Sequence, residues 1–451
     1  MKISTVGLTF GLLATAALPA RALTTTTTKN TNPISFDSLQ NKRVLVVGGS
    51  GRVGGSCVTQ LVKRGAQVQV GGTSPENLQT SRERWTNLFP EYTTKLNSVG
   101  FVSLDRENSQ SVQNALLQQK QKFDLVIHTA GPFQGKVKVP NGVLDACVEM
   151  AVPYIDVCDD YCTASAAKTK YMDKAKNNGT PCILSTGCWP GVSSLMAKQL
   201  VSAIQKQHPD INSKDLKVDF SFFTAGSGGA GLTLLVATFL ILSEKALVIQ
   251  NGRRKEVQAM KDYDRINFGT IVGDKDVSHL NLLETASVAH VLGVGSVQSK
   301  FGTAPNFWNA LLGLMAQLPP SLLANEDLMK KLSIFSLPIV RLVDAFAGAT
   351  NAMRCDVTCP TKPEISVTAL YAHENLEPCV GECVTAFAAA LLSSSPEAVP
   401  AGVWFPEEAI QTPEQVTSVL QMASVGAHTK SVETTNCKSS VQLTKEDVWG
   451  Q

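Results

Sequence analysis

The chain has 451 residues, 43% of them hydrophobic, enough to bury a large core and to divide into two domains. A formal net charge of +2 lacks the basic excess of a nucleic-acid binder, and the sequence shows no dense Lys/Arg face for an anionic membrane. A small-molecule substrate is therefore the expected partner, with nucleic acid excluded, membrane association not favoured and a homodimer left open.

Met1-Lys2, an apolar run from Ile3 to Leu18 and the small-x-small triplet Ala20-Arg21-Ala22 make residues 1–22 a secretory-type signal peptide. The run is broken by Ser4, Thr5, Gly7, Thr9 and Gly11 and is short against a bilayer span of about 20 residues, so a retained anchor is the alternative. Residues 23–40, rich in threonine and free of acids before Asp37, read as a linker or transit segment. Together the two resemble the two-part presequences of plastids that lie behind extra membranes. A plastid is the expected destination; secretion or an endomembrane lumen is the alternative.

The next segment carries the strongest signal. Val44 to Val47 reads as a buried parallel strand, and Val53, Val58, Leu61 and Val62 return at helical spacing. Between them Gly49, Gly51 and Gly54 fit GxGxxG, with Ser50, Arg52 and Val53 in the intervening positions. The first glycine permits a tight turn, the second lets a pyrophosphate approach the backbone, and the third lets the helix pack closely on the strand. The phosphates would sit on the free N–H groups at the helix start.

Gln67 to Val70 is the second strand, and Gly71-Gly72-Thr73-Ser74 follows it. The Asp or Glu that holds the ribose 2′-OH of NAD is missing there, which leaves room for a 2′-phosphate. NADP is favoured and NAD stays open. Thr73 and Ser74 are the phosphate donors, and Arg82 or Arg84 would have to reach across to join them. A third strand, 100–104, ends in Asp105, which either caps the next helix or contacts adenine. A fourth, 124–129, runs into Ala130-Gly131-Pro132-Phe133, a turn placed to border the nicotinamide. His128 within that strand is read as a core residue.

A helix with Val143, Leu144, Ala146, Cys147 and Met150 on its apolar face leads to a fifth strand, 154–158, ending in Asp159-Asp160-Tyr161. The sixth, 182–186, ends in Gly187-Cys188-Trp189-Pro190-Gly191. This alternation implies a parallel α/β sheet. Beyond Val201 come a strand at 218–223, a Gly-rich turn and an apolar helix from Leu232 to Leu242, too short for a bilayer and read as core or interface.

All 11 cysteines lie in the mature chain, an odd number with several in buried segments, so a reducing compartment fits better than a disulfide framework. The pairs Cys158/Cys162, Cys355/Cys359 and Cys379/Cys383 have spacing compatible with zinc or redox switching, but no histidine set completes a shell, and no metal is expected.

These turns, with Asn281 to Glu284, Phe301 to Pro305, Gly381 to Thr385 and Gly402 to Glu408, resemble the saccharopine dehydrogenase-like NAD(P)-binding family, and most nearly its uncharacterised plant and algal plastid members. The resemblance implies an α/β fold: a Rossmann doubly wound parallel sheet at 41–200, then a second α+β domain carrying a mixed sheet at 201–375. It implies further that segment 376–451 sends a helix, starting near Gly381 and Glu382, back to the first domain. The implied activity is hydride transfer from NADPH to an imine, carbonyl or activated alkene of a small metabolite. Relatives often carry Gly-Glu where Asp159-Asp160 stands here, which aligns Asp160 with the family acid. Two adjacent carboxylates would raise one pKa if both were buried; otherwise one caps a helix and the other is solvated. Tyr161 and Cys188 are further proton-donor candidates, and Trp189 either stacks on substrate or fills the domain interface. Saccharopine, with several carboxylates, would require cations such as Arg253, Arg254, Arg341 and Arg354 to converge. The competing reading is a non-catalytic NADPH-binding or scaffolding protein, attached to a membrane through Leu232 to Leu242.

Overall fold

The computed structural model describes residues 34–450 except 139–140, 226–230, 348, 395–398 and 434–439. The signal peptide and most of the transit segment lie outside the described residues.

Four consecutive apolar residues, Val44 to Val47, are fully buried in β1 (Arg43–Val47). A strand covered on both faces by helices has no solvent side to alternate with, and the unbroken run follows from that. Parallel to it lie β2 (Gln67–Gly72), β3 (Gly100–Ser103), β4 (Leu125–His128), β5 (Tyr154–Asp156) and β6 (Pro181–Ile183). With β15 (Gly402–Trp404) added beside β6, the order is β15-β6-β5-β4-β1-β2-β3. The order reverses at β1 and β4, so the crevice opens beyond their carboxyl ends, as in doubly wound sheets generally. β4, β5 and β6 are shorter than their sequences suggest. The chain leaves the sheet early because the buried Asp156 carboxylate accepts the Cys158 N–H at 3.1 Å and the Ser185 N–H at 2.8 Å, pulling both exit loops to one point.

The second sheet is mixed. Its centre pairs β7 (Lys217–Ala225) in parallel with β12 (Ser296–Ala304) and antiparallel with β13 (Thr350–Cys359). Outward from β13 follow β14 (Lys362–His373) and β16 (Thr429–Glu433); outward from β12 follow β11 (Asp274–His279) and β10 (Tyr263–Asn267). The hairpin β8 (Ala246–Gln250) and β9 (Arg253–Val257) also joins β12. Phe220 and Phe222 of β7 are buried and stack on each other. The late chain thus contributes a strand to each sheet, β15 to the first and β16 to the second, which nothing in the local pattern of residues 376–451 indicates.

The returning helix begins at Leu376, five residues before Gly381, and runs to Leu391. It packs along the helix Arg52–Lys63 that follows the glycine turn. Gly381 makes this possible: a Cβ there would lie 2.2 Å from Ser56 Oγ and 2.8 Å from the Ser56 carbonyl carbon. The hydroxyl can turn away, but the backbone carbon cannot. Gly381→Val is expected to separate the two helices and cost about 1–3 kcal/mol of stability. The check is a lowered Tm in thermal unfolding; an unchanged Tm would mean that the helices do not meet at this distance.

Candidate functional site

Where β1 ends, Gly48 takes φ +82°, a conformation that favours glycine, and its space is closed by the Ala130 Cβ, 2.8 Å from where a side chain would begin. The left-handed residue of the turn is therefore Gly48, not Gly49 as the motif suggests. Gly49 is packed beneath the turn against Val46 O, Val70 and Val58. The third glycine behaves as expected, since a Cβ at Gly54 would lie 2.3 Å from Gly48 O. Gly51 precedes the helix and has no side-chain cap to offer, so the first-turn N–H groups are left for a ligand. At Gly51 an added Cβ would meet a single atom, Gly48 O at 3.1 Å; the space beside it belongs to the cleft.

That cleft has a volume of about 410 Å³. Ser50 to Gly54 form one end, with Thr73 and Ser74 beyond β2 and no carboxylate beside them. Ala130, Gly131, Pro132 and Phe133 form a wall, and Asp159, Cys188 and Trp189 arrive from the loops after β5 and β6. The floor is the start of the helix Leu232–Ile241, through Thr233, Leu234 and Ala237, and Leu376, Glu377 and Val380 of the returning helix close the far side. The apolar helix suggested as a membrane attachment is thus part of the cleft floor.

Several expected site residues stand elsewhere. Asp160 caps the helix Tyr161–Asn177, accepting the Thr163 N–H at 2.7 Å and the Gly135 N–H at 3.3 Å. Tyr161 stacks on Phe405 and lines a separate cavity with Glu244 and Arg254. Asp105 is exposed and accepts the Glu107 N–H at 3.0 Å, while Asn108 caps the helix that follows. Arg82 is held by Val99 O, and Arg84 donates to Gly51 O at 3.1 Å; neither lines the cleft. His128 is a core residue beside the Tyr154 hydroxyl at 3.1 Å, and burial pushes its pKa down to about 3. The four arginines named for a polycarboxylate do not converge. Arg253 and Arg254 lie on the exposed β9, Arg341 is exposed on another helix, and Arg354 is engaged twice by Asp356 at 2.7 and 2.8 Å.

Of the two adjacent carboxylates, Asp159 is the one in the cleft. Burial pushes its pKa up to about 6, against a hydrogen bond from the Gln134 side chain. Cys188 is 2% exposed, and burial raises its thiol well above the ordinary range, keeping it protonated. Trp189 fills the domain interface, stacking on Phe222 at 5.1 Å and donating to Asn351 Oδ1 at 3.1 Å, and one side of it still meets the cleft.

Sequence reasoning missed three features. Arg106 lines the cleft and grips the carbonyls of Ala130 and Gly131, the latter at 2.7 Å. Asp156 ties the loops after β5 and β6; an acid ending an apolar strand was its only signal. Glu377 faces the phosphate end, 3.8 Å from Arg52, and burial pushes its pKa up to about 7 despite Arg52 and Arg84. Among the described residues no group of three or more side chains could hold a metal ion, and the ten described cysteines are free.

Residues 44–183 match the family described as Saccharopine dehydrogenase NADP binding domain. The cofactor is NADP. The match extends from β1 to β6 and points to an NADP-dependent oxidoreductase. Among solved structures, the fold is similar to that of apo histidine-tagged saccharopine dehydrogenase (L-Glu forming) from Saccharomyces cerevisiae, with TM-score 0.56 and 13% identity over 88% of this chain and 100% of that one. A short-chain type dehydrogenase/reductase from Mycobacterium ulcerans aligns with TM-score 0.26 and 15% identity over 32% of this chain and 66% of that one, too little to carry an argument. No curated protein sequence matches the chain.

The residues fit this cofactor: uncapped helix amides and Arg52 for the pyrophosphate, Thr73 and Ser74 for the 2′-phosphate. Glu377 works against them when ionised, since it repels phosphate and holds Arg52. Above pH 7 the carboxylate is charged and below pH 7 it is neutral. Glu377→Gln is therefore expected to tighten NADPH binding about threefold to tenfold at pH 8 and to leave it unchanged at pH 6. Fluorescence titration at the two pH values checks this; an equal effect at both would remove Glu377 from the phosphate site.

Proposed function

We propose that the protein transfers a hydride between NADP and an imine, carbonyl or activated alkene carbon of a small metabolite bound beside Asp159, Cys188 and Trp189. One observation carries this reading: the glycine turn and the loops after β5 and β6 open into the same cleft. NADPH supplies the hydride when bound. The chain supplies orientation, exclusion of water and a proton. Asp159 is suited to the last role, because a carboxyl with a pKa near 6 is still partly protonated close to neutrality.

The character of the walls bears on substrate class. Two cations line the cleft among the described residues; Arg52 is paired with Glu377, and Arg106 is committed to the Ala130 and Gly131 carbonyls. The remaining wall residues include Phe133, Trp189, Leu234 and Ala237. This supports a substrate with little negative charge over one carrying several carboxylates.

Two variants test the reading. Gly51→Asp places a carboxylate where the pyrophosphate would lie, at a position with space for a side chain, and should abolish NADPH binding in a fluorescence titration while Tm is retained. Normal binding by this variant would overturn the assignment of the cleft. With a substrate found by screening imines, carbonyls and enoyl compounds, the rate of reduction should fall as pH rises through about 6, where Asp159 loses its proton. Asp159→Asn should lower kcat by about 10²–10⁴ and remove that limb of the profile. A wild-type profile retained in Asp159→Asn would exclude Asp159 as the donor.

A further inference from the structure

The helix Glu326–Ala347 has two apolar faces. One is buried, through Met329, Ser333 and Val340, and packs on the helix Leu232–Ile241. The other stands in water. Leu328, Phe335, Ile339 and Leu342 are seven, four and three residues apart, which puts them on one face, and Phe335 is 74% and Leu342 62% exposed. Ile334 beside them is exposed too, and the preceding helix Asn306–Met315 leaves Phe307, Leu311 and Leu314 uncovered. Isolated exposed apolar residues are ordinary, but a run of them at helical spacing marks an interaction surface.

Charge selects the partner. From Leu328 to Leu342 the chain carries Lys330, Lys331 and Arg341, all exposed, and no acid. A second copy docked on this face about a two-fold axis would set these three cations against the same three. An anionic lipid surface meets both features at once, taking the apolar side chains below its headgroups and the cations among them. No described helix is long and apolar enough to cross a membrane, so the attachment is peripheral.

We infer that the face of the helix Glu326–Ala347 bearing Phe335, Ile339, Lys331 and Arg341 docks the protein on an anionic phospholipid bilayer. This face adjoins the cleft. The helix rests on the one whose start forms the cleft floor, and Glu326 is paired with Lys136, which follows the wall residues Phe133 and Gln134, at 2.9 Å. The docking surface is independent of the hydride-transfer reading and stands or falls without it.

The test is co-sedimentation of the full chain with vesicles of phosphatidylcholine alone and of phosphatidylcholine mixed with phosphatidylglycerol. Wild type is compared with Phe335→Ser/Ile339→Ser and with Lys330→Glu/Lys331→Glu/Arg341→Glu. All three proteins keep the apolar N-terminal segment, so a difference between them reports the helix. The replaced side chains are exposed, and thermal unfolding should be the same in all three. Wild type is expected to sediment with the mixed vesicles and only weakly with phosphatidylcholine, and each variant to bind the mixed vesicles at least about tenfold more weakly. Equal sedimentation of wild type and both variants would overturn the proposal, as would wild type remaining in the supernatant. So would a wild-type dimer in sedimentation velocity that the Phe335→Ser/Ile339→Ser variant turns into a monomer, with no vesicle binding by either.

Discussion

The arrangement of the site depends on one buried carboxylate. Asp156 is 1% exposed at the end of β5 and accepts the Cys158 and Ser185 N–H groups and the Tyr154 hydroxyl, the last at 2.9 Å. The first two bonds fasten the loops that bring Asp159 and Cys188 to the cleft. The third continues to Asn141, whose amide reaches the same Tyr154 hydroxyl at 3.1 Å, and to the His128 ring. Hydrogen bonds to a charged group contribute roughly 1.5–3 kcal/mol each, and burying a carboxylate costs several kcal/mol. Burial is the larger effect here, since the pKa of Asp156 rises to about 6 in spite of its donors. The carboxylate adds little net stability on this balance; its contribution is to fix where two loops leave the sheet.

A second constraint is the close approach of backbones around the nucleotide. Gly48 meets Ala130, Gly54 meets Gly48, and Gly381 meets Ser56, each at a distance that admits no side chain. The first two shape the turn that receives the pyrophosphate. The third lays the returning helix along the helix whose amides bind it, and so delivers Leu376, Glu377 and Val380 to the cleft. A residue more than 300 positions away in sequence thereby sets the charge facing the phosphate. Association between the two helices and recognition of the cofactor are one packing problem.

The layers also link the cleft to the outer surface. The helix Leu232–Ile241 has Val236, Phe239 and Leu240 buried and presents its start to the cleft, while the helix Glu326–Ala347 covers it and carries apolar side chains into water. Two helices therefore separate the nucleotide site from the exposed apolar face. The near-neutral charge of the whole chain conceals this face, because the three cations from Lys330 to Arg341 are balanced by acids in other parts of the sequence.

Local sequence determined the features whose physics is local. The unbroken apolar run of β1, the glycine turn, the missing acid after β2 and the alternation of strands and helices led to a parallel sheet, a phosphate-binding helix start and NADP. These follow from periodicity and from backbone freedom at single positions. What sequence left open was decided by contacts between distant segments. Asp159 and Asp160 are adjacent and chemically identical, yet Asp160 is taken by the free N–H groups of a helix start while Asp159 turns into the cleft. Gly48 and Gly49 are equally adjacent, and only the approach of Ala130 shows which of them closes the turn. The arginines that a polycarboxylate would need are present in number but scattered over exposed strands and helices, because like charges separate unless a ligand or an acid gathers them. Composition fixes which groups a chain owns, and tertiary packing fixes which of them lose their water and face one another.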